Sequence, residues 1–164
     1  KSIFLNLYMD SSIIIRENTF EKARKLIREN KDKIIIFSSD DDELNRKILE
    51  KEKIDILLIN LAGRKDFQKQ RNSGFNQVLA KLAKNKNIAI GINFDEIVES
   101  NSIEKPKILA RIQQNIKLCN KNKLKMKFII QNPKNQRNIY DLKSLGAVLG
   151  MPTWMTSLLN SDKF

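Results

Sequence analysis

Short, nearly all-apolar runs alternate with amphipathic stretches along this chain, and this alternation constrains the fold more than any other feature. The apolar runs predict strands at residues 3–9, 34–37, 54–61, 88–94 and 126–130. The amphipathic stretches predict helices at residues 19–30, from the acidic segment 38–43 to about 52, after Gly74, and at 107–120 and 140–149. Because continuous apolar strands are typical of sheets covered on both faces, the pattern predicts an α/β fold with a parallel sheet and right-handed crossovers.

A parallel sheet built from such repeats either closes toward a TIM-type barrel or stays open with helices on both faces, and both forms fit the pattern. Five or six strand–helix units are few for a complete eight-stranded barrel, which needs ~250 residues. With 164 residues, no internal repeat and no linker, we predict a single domain over residues 1–164. In either form the functional loops lie at the carboxyl ends of the strands. We therefore expect three polar, irregular loops to meet there, at residues 62–73, 95–106 and 132–138.

The excess of positive charge is confined to the second part of the chain. Residues 1–63 contain 12 Lys or Arg and 12 Asp or Glu, whereas residues 64–164 contain 19 and 7. Between Lys105 and Tyr140 there are ten basic residues and no acidic one. A general bias toward lysine would raise both parts, so the asymmetry indicates a one-sided basic surface, which is typical of nucleic-acid binding. The alternative is a charged, solvated face with no partner.

Ten basic side chains are candidates for contacts with phosphates. They come from the loop before the third predicted helix, from that helix, and from later elements whose ends are expected to converge. The candidates for nucleic-acid binding are Arg64, Lys65, Lys69, Arg71, Lys81, Lys84, Arg111, Lys127, Lys134 and Arg137. Arginine can hold a phosphate through two parallel hydrogen bonds, whereas lysine acts as a point charge.

The segment 64–94 joins this basic loop to a helix and a buried strand, and its apolar residues predict how it packs. The residues expected on the inner face of the helix are Phe75, Val78, Leu79 and Leu82. An aromatic ring can stack on a base, but the spacing of Phe75 to the others favours packing in the core. Gly74 predicts a turn that other residues cannot adopt, and Gly91 predicts a close approach of other groups to its strand.

The sequence lacks the groups on which many hydrolases depend. It contains no histidine, which excludes a Ser-His-Asp triad, an imidazole base and an imidazole metal ligand. No P-loop and no G-x-G-x-x-G motif is present. Carboxylates alone can bind Mg²⁺, but the acidic run 40–43 is more typical of a helix N-terminus, and no further acid is spaced to pair with Asp95 and Glu96. We expect a chain that binds and does not catalyse alone, with no catalytic residue, metal or cofactor.

Cysteine content and hydropathy bear on the compartment. The single cysteine, Cys119, cannot form an internal disulfide, which is typical of a reducing compartment. Its place on an apolar helix face predicts a buried, unreactive side chain. No apolar run approaches the ~20 residues that span a bilayer, and residues 1–10 lack the length and flanks of a signal peptide. We expect a cytoplasmic protein with no membrane partner, or a nuclear one in a eukaryotic source.

Three blocks between residues 61 and 151 together resemble a known family. The first is RKD at residues 64–66, followed from Gly74 by GFNQVLAKLAKNKNIAIGINF. The second is ILARIQQNIKLCNKNK, which contains Arg111 and precedes MKFII, and the third is DLKSLGAVLGM. In this order and spacing they resemble the ribonuclease P protein component 3 family, the archaeal relatives of the thirty-kilodalton subunit of eukaryotic ribonuclease P. Asn76 and Gln77 stand where many relatives carry an acid and a histidine.

The resemblance implies a fold and a function. The fold is a reduced, TIM-barrel-like parallel βα repeat, related to the polymerase-and-histidinol-phosphatase metalloenzymes but without their metal site. The function is to bind the ribonuclease P catalytic RNA, and indirectly precursor tRNA, and to support removal of 5′ leaders together with a small ferredoxin-like protein subunit. Two other functions stay open, namely a degenerate barrel phosphoesterase with a carboxylate-bound metal, and a purely structural interaction subunit.

Overall fold

Parallel strands follow one another across the sheet in the order in which they occur in the chain. The computed structural model describes residues 11–160. The strands are β1 Ser12–Arg16, β2 Ile34–Ser38, β3 Ile56–Ile59, β4 Ala89–Asn93 and β5 Met126–Ile129. The helices are α1 Phe20–Glu29, α2 Asp42–Lys51, α3 Gln77–Asn85, α4 Phe94–Glu99, α5 Glu104–Asn122, α6 Ile139–Val148 and α7 Thr153–Ser157, with 3₁₀ turns at Pro133–Asn135 and Leu158–Asn160. Each strand pairs in parallel with the next, in the order β1-β2-β3-β4-β5, which confirms the predicted parallel α/β fold.

The helices pack on one face of this sheet. Their buried residues join the strand residues Phe37, Leu57 and Ile90 in one large apolar core. The alternate strand residues form a separate buried cluster that includes no helix residue: Ile36, Ile56, Leu58, Ala89 and Ile129. A strand order that never reverses, with helices outside and a second apolar layer inside, is the arrangement of a TIM-type barrel. In the described residues the arrangement is therefore TIM-barrel-like, and not an open sheet with helices on both faces.

Gly91 in β4 faces this inner cluster. A Cβ at this position would lie 3.1 to 3.2 Å from side-chain atoms of Ile56, Leu58 and Ile129, which is closer than carbon atoms normally pack. The predicted close approach at Gly91 is confirmed, and its cause is the crowding of neighbouring strands on the inner face.

The amino-terminal elements differ from the prediction in two respects. The predicted strand at residues 3–9 lies outside the described residues. β1 was not predicted, because its Ser12, Ile13 and Ile14 are only half-buried and its apolar run is shorter than those of the later strands. Asn18 precedes the predicted helix at residues 19–30, and its residue type makes it a candidate N-cap from the sequence. In the structure Thr19 is the N-cap, and its side chain makes no capping hydrogen bond.

The predicted irregular loop at residues 95–106 is wrong. The chain turns from β4 directly into α4, whose Phe94 and Ile97 are buried, and α5 already begins at Glu104. Pro106 is tolerated in the first turn of α5 because the first backbone N–H groups of a helix have no intrahelical partner. Phe94 and Ile97 are three residues apart and pack α4 into the core, but the polar residues around them hid this spacing in the sequence.

The phase of α3 also differs from the prediction. Phe75 and Leu79 are buried as predicted, but Val78 is 54% exposed, and Ala80 and Ala83 are fully buried. The reason is that α3 begins only at Gln77, so Phe75 precedes the helix and could not set its phase. Burial of Phe75 confirms core packing for this ring.

Cys119 on α5 is fully buried and unpaired. Burial raises the pKa of its thiol far above the usual range, because a thiolate would lose its hydration there. The predicted role of Cys119 as a small core residue is confirmed.

Candidate nucleic-acid interface

The loops that follow β3 and β5 are tied together by the carboxylates of α4. Glu96 Oε2 accepts a hydrogen bond of 2.8 Å from the backbone N–H of Leu61. Asp95 Oδ2 accepts backbone N–H groups from Gln131 at 2.7 Å and Asn132 at 3.2 Å. We call these connected segments at the carboxyl ends of β3, β4 and β5 the rim, defined as residues 61–73, α4 and residues 131–138. The predicted meeting of three segments at one edge is confirmed, with α4 as the link.

Asn135 completes the link between α4 and the loop after β5. Its buried amide donates to Asp95 Oδ1 and to Glu99 Oε1, both at 2.8 Å. Glu96, the next residue of α4, is partly buried, and this burial raises the pKa of its carboxyl while the backbone N–H groups of Leu61 and Ala62 oppose the rise. The acids of α4 thus serve as acceptors for the backbone of two loops, which accounts for Asp95 and Glu96 without a catalytic role.

The side chain of Arg111 on α5 binds the backbone of the loop after β3. The residue is fully buried, and its guanidinium donates to the carbonyl oxygens of Leu61 at 2.9 Å and Arg64 at 2.7 Å. It also contacts the carboxylates of Asp66 at 3.0 Å and Glu104 at 3.3 Å. A planar group with five fixed donors suits this task. Arg111 therefore sets the path of the loop backbone.

Arg64 fastens the same loop to α2. Its side chain is 10% exposed and forms two parallel hydrogen bonds with Asp42, Nη1 to Oδ2 at 2.9 Å and Nη2 to Oδ1 at 2.8 Å. Its Nε donates to the carbonyl oxygen of Asn60 at 2.6 Å. The donors that a phosphate would need are thus already committed within the protein.

Three of the four acids in the run 40–43 have structural partners. Asp42 pairs with Arg64, Asp41 caps α2 by accepting the N–H of Glu43 at 2.9 Å, and Asp40 accepts the amide of Asn60 at 2.9 Å. Asp40 and Asp42 line an open cleft of about 610 Å³ beside the rim. Within residues 11–160, no group of three or more His, Cys, Asp or Glu side chains is placed to hold a metal ion.

Gly74 marks the place where the loop passes over the Arg64 side chain. Its φ is +64°, and a Cβ there would lie 2.5 to 2.8 Å from the guanidinium of Arg64. Gly63 has a similar φ of +69°, but no atom lies within 4 Å of the corresponding Cβ position. The two glycines thus share a left-handed backbone and differ in their surroundings.

We expect Gly74→Ala to destabilise the protein more than Gly63→Ala. Both substitutions strain the backbone by about 1 kcal/mol, but alanine at 74 must also displace the guanidinium that binds Asp42, which adds about 1–2 kcal/mol. Urea denaturation of the two variants measures the difference directly, with Gly63→Ala as the matched control. Equal destabilisation would show that the Arg64 contacts contribute nothing to folding.

Three candidates lie exposed on the loop that Arg111 and Arg64 hold. Lys65, Lys69 and Arg71 are exposed, and their side chains form no ion pair within the described part of the chain. The backbone of the loop is closed by Asp66 Oδ1, which accepts the N–H of Asn72 at 2.9 Å. This hydrogen bond, followed by those from Arg111, lowers the pKa of Asp66. The loop thus presents three cations on a fixed backbone.

The remaining candidates divide between the rim and other places. Lys134 and Arg137 are exposed in the rim loop after β5. Lys84 donates from the last turn of α3 to the carbonyl oxygen of Lys123 at 3.2 Å, so it lies toward the amino ends of the strands. Lys81 lies one turn earlier, in the middle of α3. Lys127 is 6% exposed. It lies two residues before Ile129 and therefore shares the inner face of β5 with it. Lys81, Lys84 and Lys127 therefore do not belong to the rim.

Sequence analysis missed one exposed aromatic residue of the rim. Phe67 is 67% exposed and lies in the loop between Lys65 and Lys69. The only signal in the sequence was a single aromatic residue within a strongly polar, basic segment, which is an unfavourable place for a core residue.

The fold and the rim define a class of protein: a TIM-barrel-like βα repeat whose carboxyl-end loops are held by buried arginines and carry exposed cations. None of the helices in residues 11–160 is long and apolar enough to cross a membrane. The chain belongs to the RNase P subunit p30 family, whose model matches residues 40–156, and this confirms the resemblance found in the sequence.

Relatives in two archaea and one solved structure show the extent of this similarity. Ribonuclease P protein component 3 of Methanococcus maripaludis (strain C7) is 31% identical over 147 residues, which cover 90% of this chain and 59% of the relative. The protein of the same name from Methanocaldococcus jannaschii is 27% identical over 155 residues, covering 92% and 64%. A chain in a cryo-EM structure of archaeal ribonuclease P with mature tRNA superposes with a TM-score of 0.75 at 27% identity, covering 90% of this chain and 63% of that one. This chain thus spans about three fifths of the length of the relatives it matches.

Proposed function

We propose that this chain is a protein subunit of ribonuclease P that binds the catalytic RNA and supports its removal of 5′ leaders from precursor tRNA. The observation that carries the proposal is the rim, where Lys65, Lys69 and Arg71 stand exposed and without ion pairs on a loop fixed by Arg111. Membership of the RNase P subunit p30 family and the similarity to a chain of archaeal ribonuclease P support it. In this proposal the RNA performs the cleavage, and residues 1–164 act as one domain that has no catalytic residue of its own.

The ten candidate cations have different roles in this proposal. Lys65, Lys69, Arg71, Lys134 and Arg137 contact phosphates directly from the rim. Arg64 and Arg111 hold the loop backbone in place and act on RNA only through it, because their donors are already bonded within the protein. Lys81 and Lys84 extend the basic surface along α3. Lys127 adds positive charge from the inner face of the sheet.

The further partners follow from the same proposal. Precursor tRNA is contacted indirectly, through the catalytic RNA, and a small ferredoxin-like subunit of ribonuclease P pairs with this chain. The proposed site of action is the cytoplasm, or the nucleus in a eukaryotic source.

Reconstitution of leader removal tests this function. The catalytic RNA, labelled precursor tRNA and a ferredoxin-like partner subunit are combined with and without this chain. We expect the chain to accelerate leader removal beyond the rate of the RNA with the partner alone, and we expect the chain alone to leave precursor tRNA intact. No acceleration, or metal-dependent hydrolysis of phosphoesters by the purified chain without RNA, would contradict the proposal.

A further inference from the structure

The turn at residues 67–70 presents a phenyl ring to solvent on the rim. Phe67 is 67% exposed, although an exposed phenyl ring forgoes the stabilisation that burial would give it. Two backbone hydrogen bonds close the turn, from Phe67 N–H to the Gln70 carbonyl at 2.8 Å and from Gln70 N–H to the Phe67 carbonyl at 3.4 Å. The preceding residue, Asp66, is held by Asn72 and Arg111. The ring is therefore carried on an anchored backbone.

A groove of about 300 Å³ lies beside this ring. Phe67 and Val78 give it apolar walls, and Gln70 and Arg71 give it exposed polar groups. The orientation of α3 leaves Val78 54% exposed, and Val78 forms the second apolar wall. An apolar slot with hydrogen-bonding groups at its edge matches a nucleobase, which has two apolar faces and a polar edge.

We propose that Phe67 stacks on one unpaired base of an RNA, with the base lying in the groove beside Val78. This inference rests on the proposed RNA-binding function and adds a preference for single-stranded or looped RNA to it. Bases within a duplex already have both faces covered, so only an unpaired base can stack on the ring. Lys65 and Lys69 flank Phe67 in the sequence, and Arg71 lines the groove. In this proposal these cations meet the phosphates next to the stacked nucleotide.

The charges around Phe67 favour RNA over a protein partner for this groove. Lys65, Lys69 and Arg71 surround the ring in the chain, and none of them has an ion pair among the described residues. Asp66 is committed to Arg111, and Asp42 on the groove wall is committed to Arg64. Glu43 also lines the groove, and it is exposed and has no ion pair among the described residues. The three cations without ion pairs thus outnumber this one acid. A basic surface that carries an aromatic ring for stacking is typical of proteins that bind single strands.

The test compares single-stranded and duplex RNA as probes for the full chain. A short single-stranded oligoribonucleotide carries one 2-aminopurine, whose fluorescence falls when it stacks, and the same sequence annealed to its complement is the duplex probe. We expect Phe67→Ala to weaken binding of the single strand by about tenfold, to abolish the fluorescence change, and to leave duplex binding unchanged. Phe67→Trp should retain wild-type binding. Val148→Ala, which truncates an apolar side chain that is 80% exposed on α6, is the matched control.

The outcomes separate this inference from the proposed function. If the wild-type chain binds both probes with a steep salt dependence and Phe67→Ala behaves like Val148→Ala, the stacking contact is overturned while RNA binding stands. If the wild-type chain binds neither probe, both proposals fail. If Phe67→Ala weakens only the binding of a ferredoxin-like partner subunit, the groove is a protein-docking site and the assignment to a base is wrong. Unchanged urea denaturation of Phe67→Ala confirms that the ring does not support the fold.

Discussion

Arg111→Ala will lower the free energy of unfolding by about 3 kcal/mol. The substitution removes a fully buried guanidinium and leaves the carbonyl oxygens of Leu61 and Arg64 without their donors. Breaking a buried ion pair on one side costs roughly 3 to 5 kcal/mol. The lower end applies here, because Asp66 and Glu104 are 35% and 23% exposed and regain water. Urea denaturation monitored by circular dichroism gives the change from the midpoint at constant slope.

Three further variants show which property of Arg111 matters. Lys117→Ala removes an exposed cation from the same helix and should change stability by less than about 0.5 kcal/mol. Arg111→Lys keeps the charge but cannot reach two carbonyl oxygens and two carboxylates at once, so its loss should be intermediate. Arg111→Met keeps most of the volume, and a loss as large as that of Arg111→Ala identifies the hydrogen bonds as the cause. A loss in Arg111→Ala no greater than in Lys117→Ala would contradict the role assigned to the buried guanidinium.

The sheet was predictable from the sequence because its strands are buried on both faces. Such strands are mainly apolar, so the runs of Ile, Leu and Phe in β2 and β3 stand out, and β4 and β5 stand out as short, mostly apolar segments. β1 was not predicted because it is only half-buried and its apolar run is therefore short. α4 was not predicted because its acidic residues made the segment look like an irregular loop. These acids accept hydrogen bonds from the backbone of neighbouring loops.

The burial and the partners of each basic side chain could not be predicted from the sequence. Arg64 and Lys65 are adjacent and both basic, yet the Arg64 side chain is 10% exposed, whereas Lys65 is exposed. The difference arises from Asp42, which is 22 residues away in the chain, and local patterns carry no information about such a contact. The same holds for Arg111, whose partner Asp66 is 45 residues away. Residue type and charge located the basic region, and tertiary contacts decided which of its members face solvent.

Removing the three exposed loop cations together should weaken RNA binding about 100-fold at physiological salt. In the variant Lys65→Ala, Lys69→Ala and Arg71→Ala, three phosphates keep their counterions, and each neutralised phosphate contributes roughly 0.7 to 0.9 to the slope of log affinity against log salt. If the wild-type chain neutralises six phosphates, its slope is roughly −4 to −5, and the variant should be shallower by about 2 to 3. Arg64 is left unchanged because its loss would disturb the fold. Fluorescence anisotropy with the catalytic RNA over a salt series measures both quantities.

A second triple variant separates this local effect from the loss of net charge. Lys31, Lys33 and Lys53 are exposed and lie just before β2 and β3, at the opposite end of the sheet from the rim. Replacing all three by alanine removes the same three charges, and we expect the salt slope and affinity to stay close to wild type, because a cation contributes to the slope only where it displaces a counterion from the RNA. If both triple variants weaken binding equally, the protein attracts RNA through its net charge alone and the rim is not the contact. If neither changes the slope, the phosphates are bound elsewhere, and Lys134 and Arg137 are the next residues to replace.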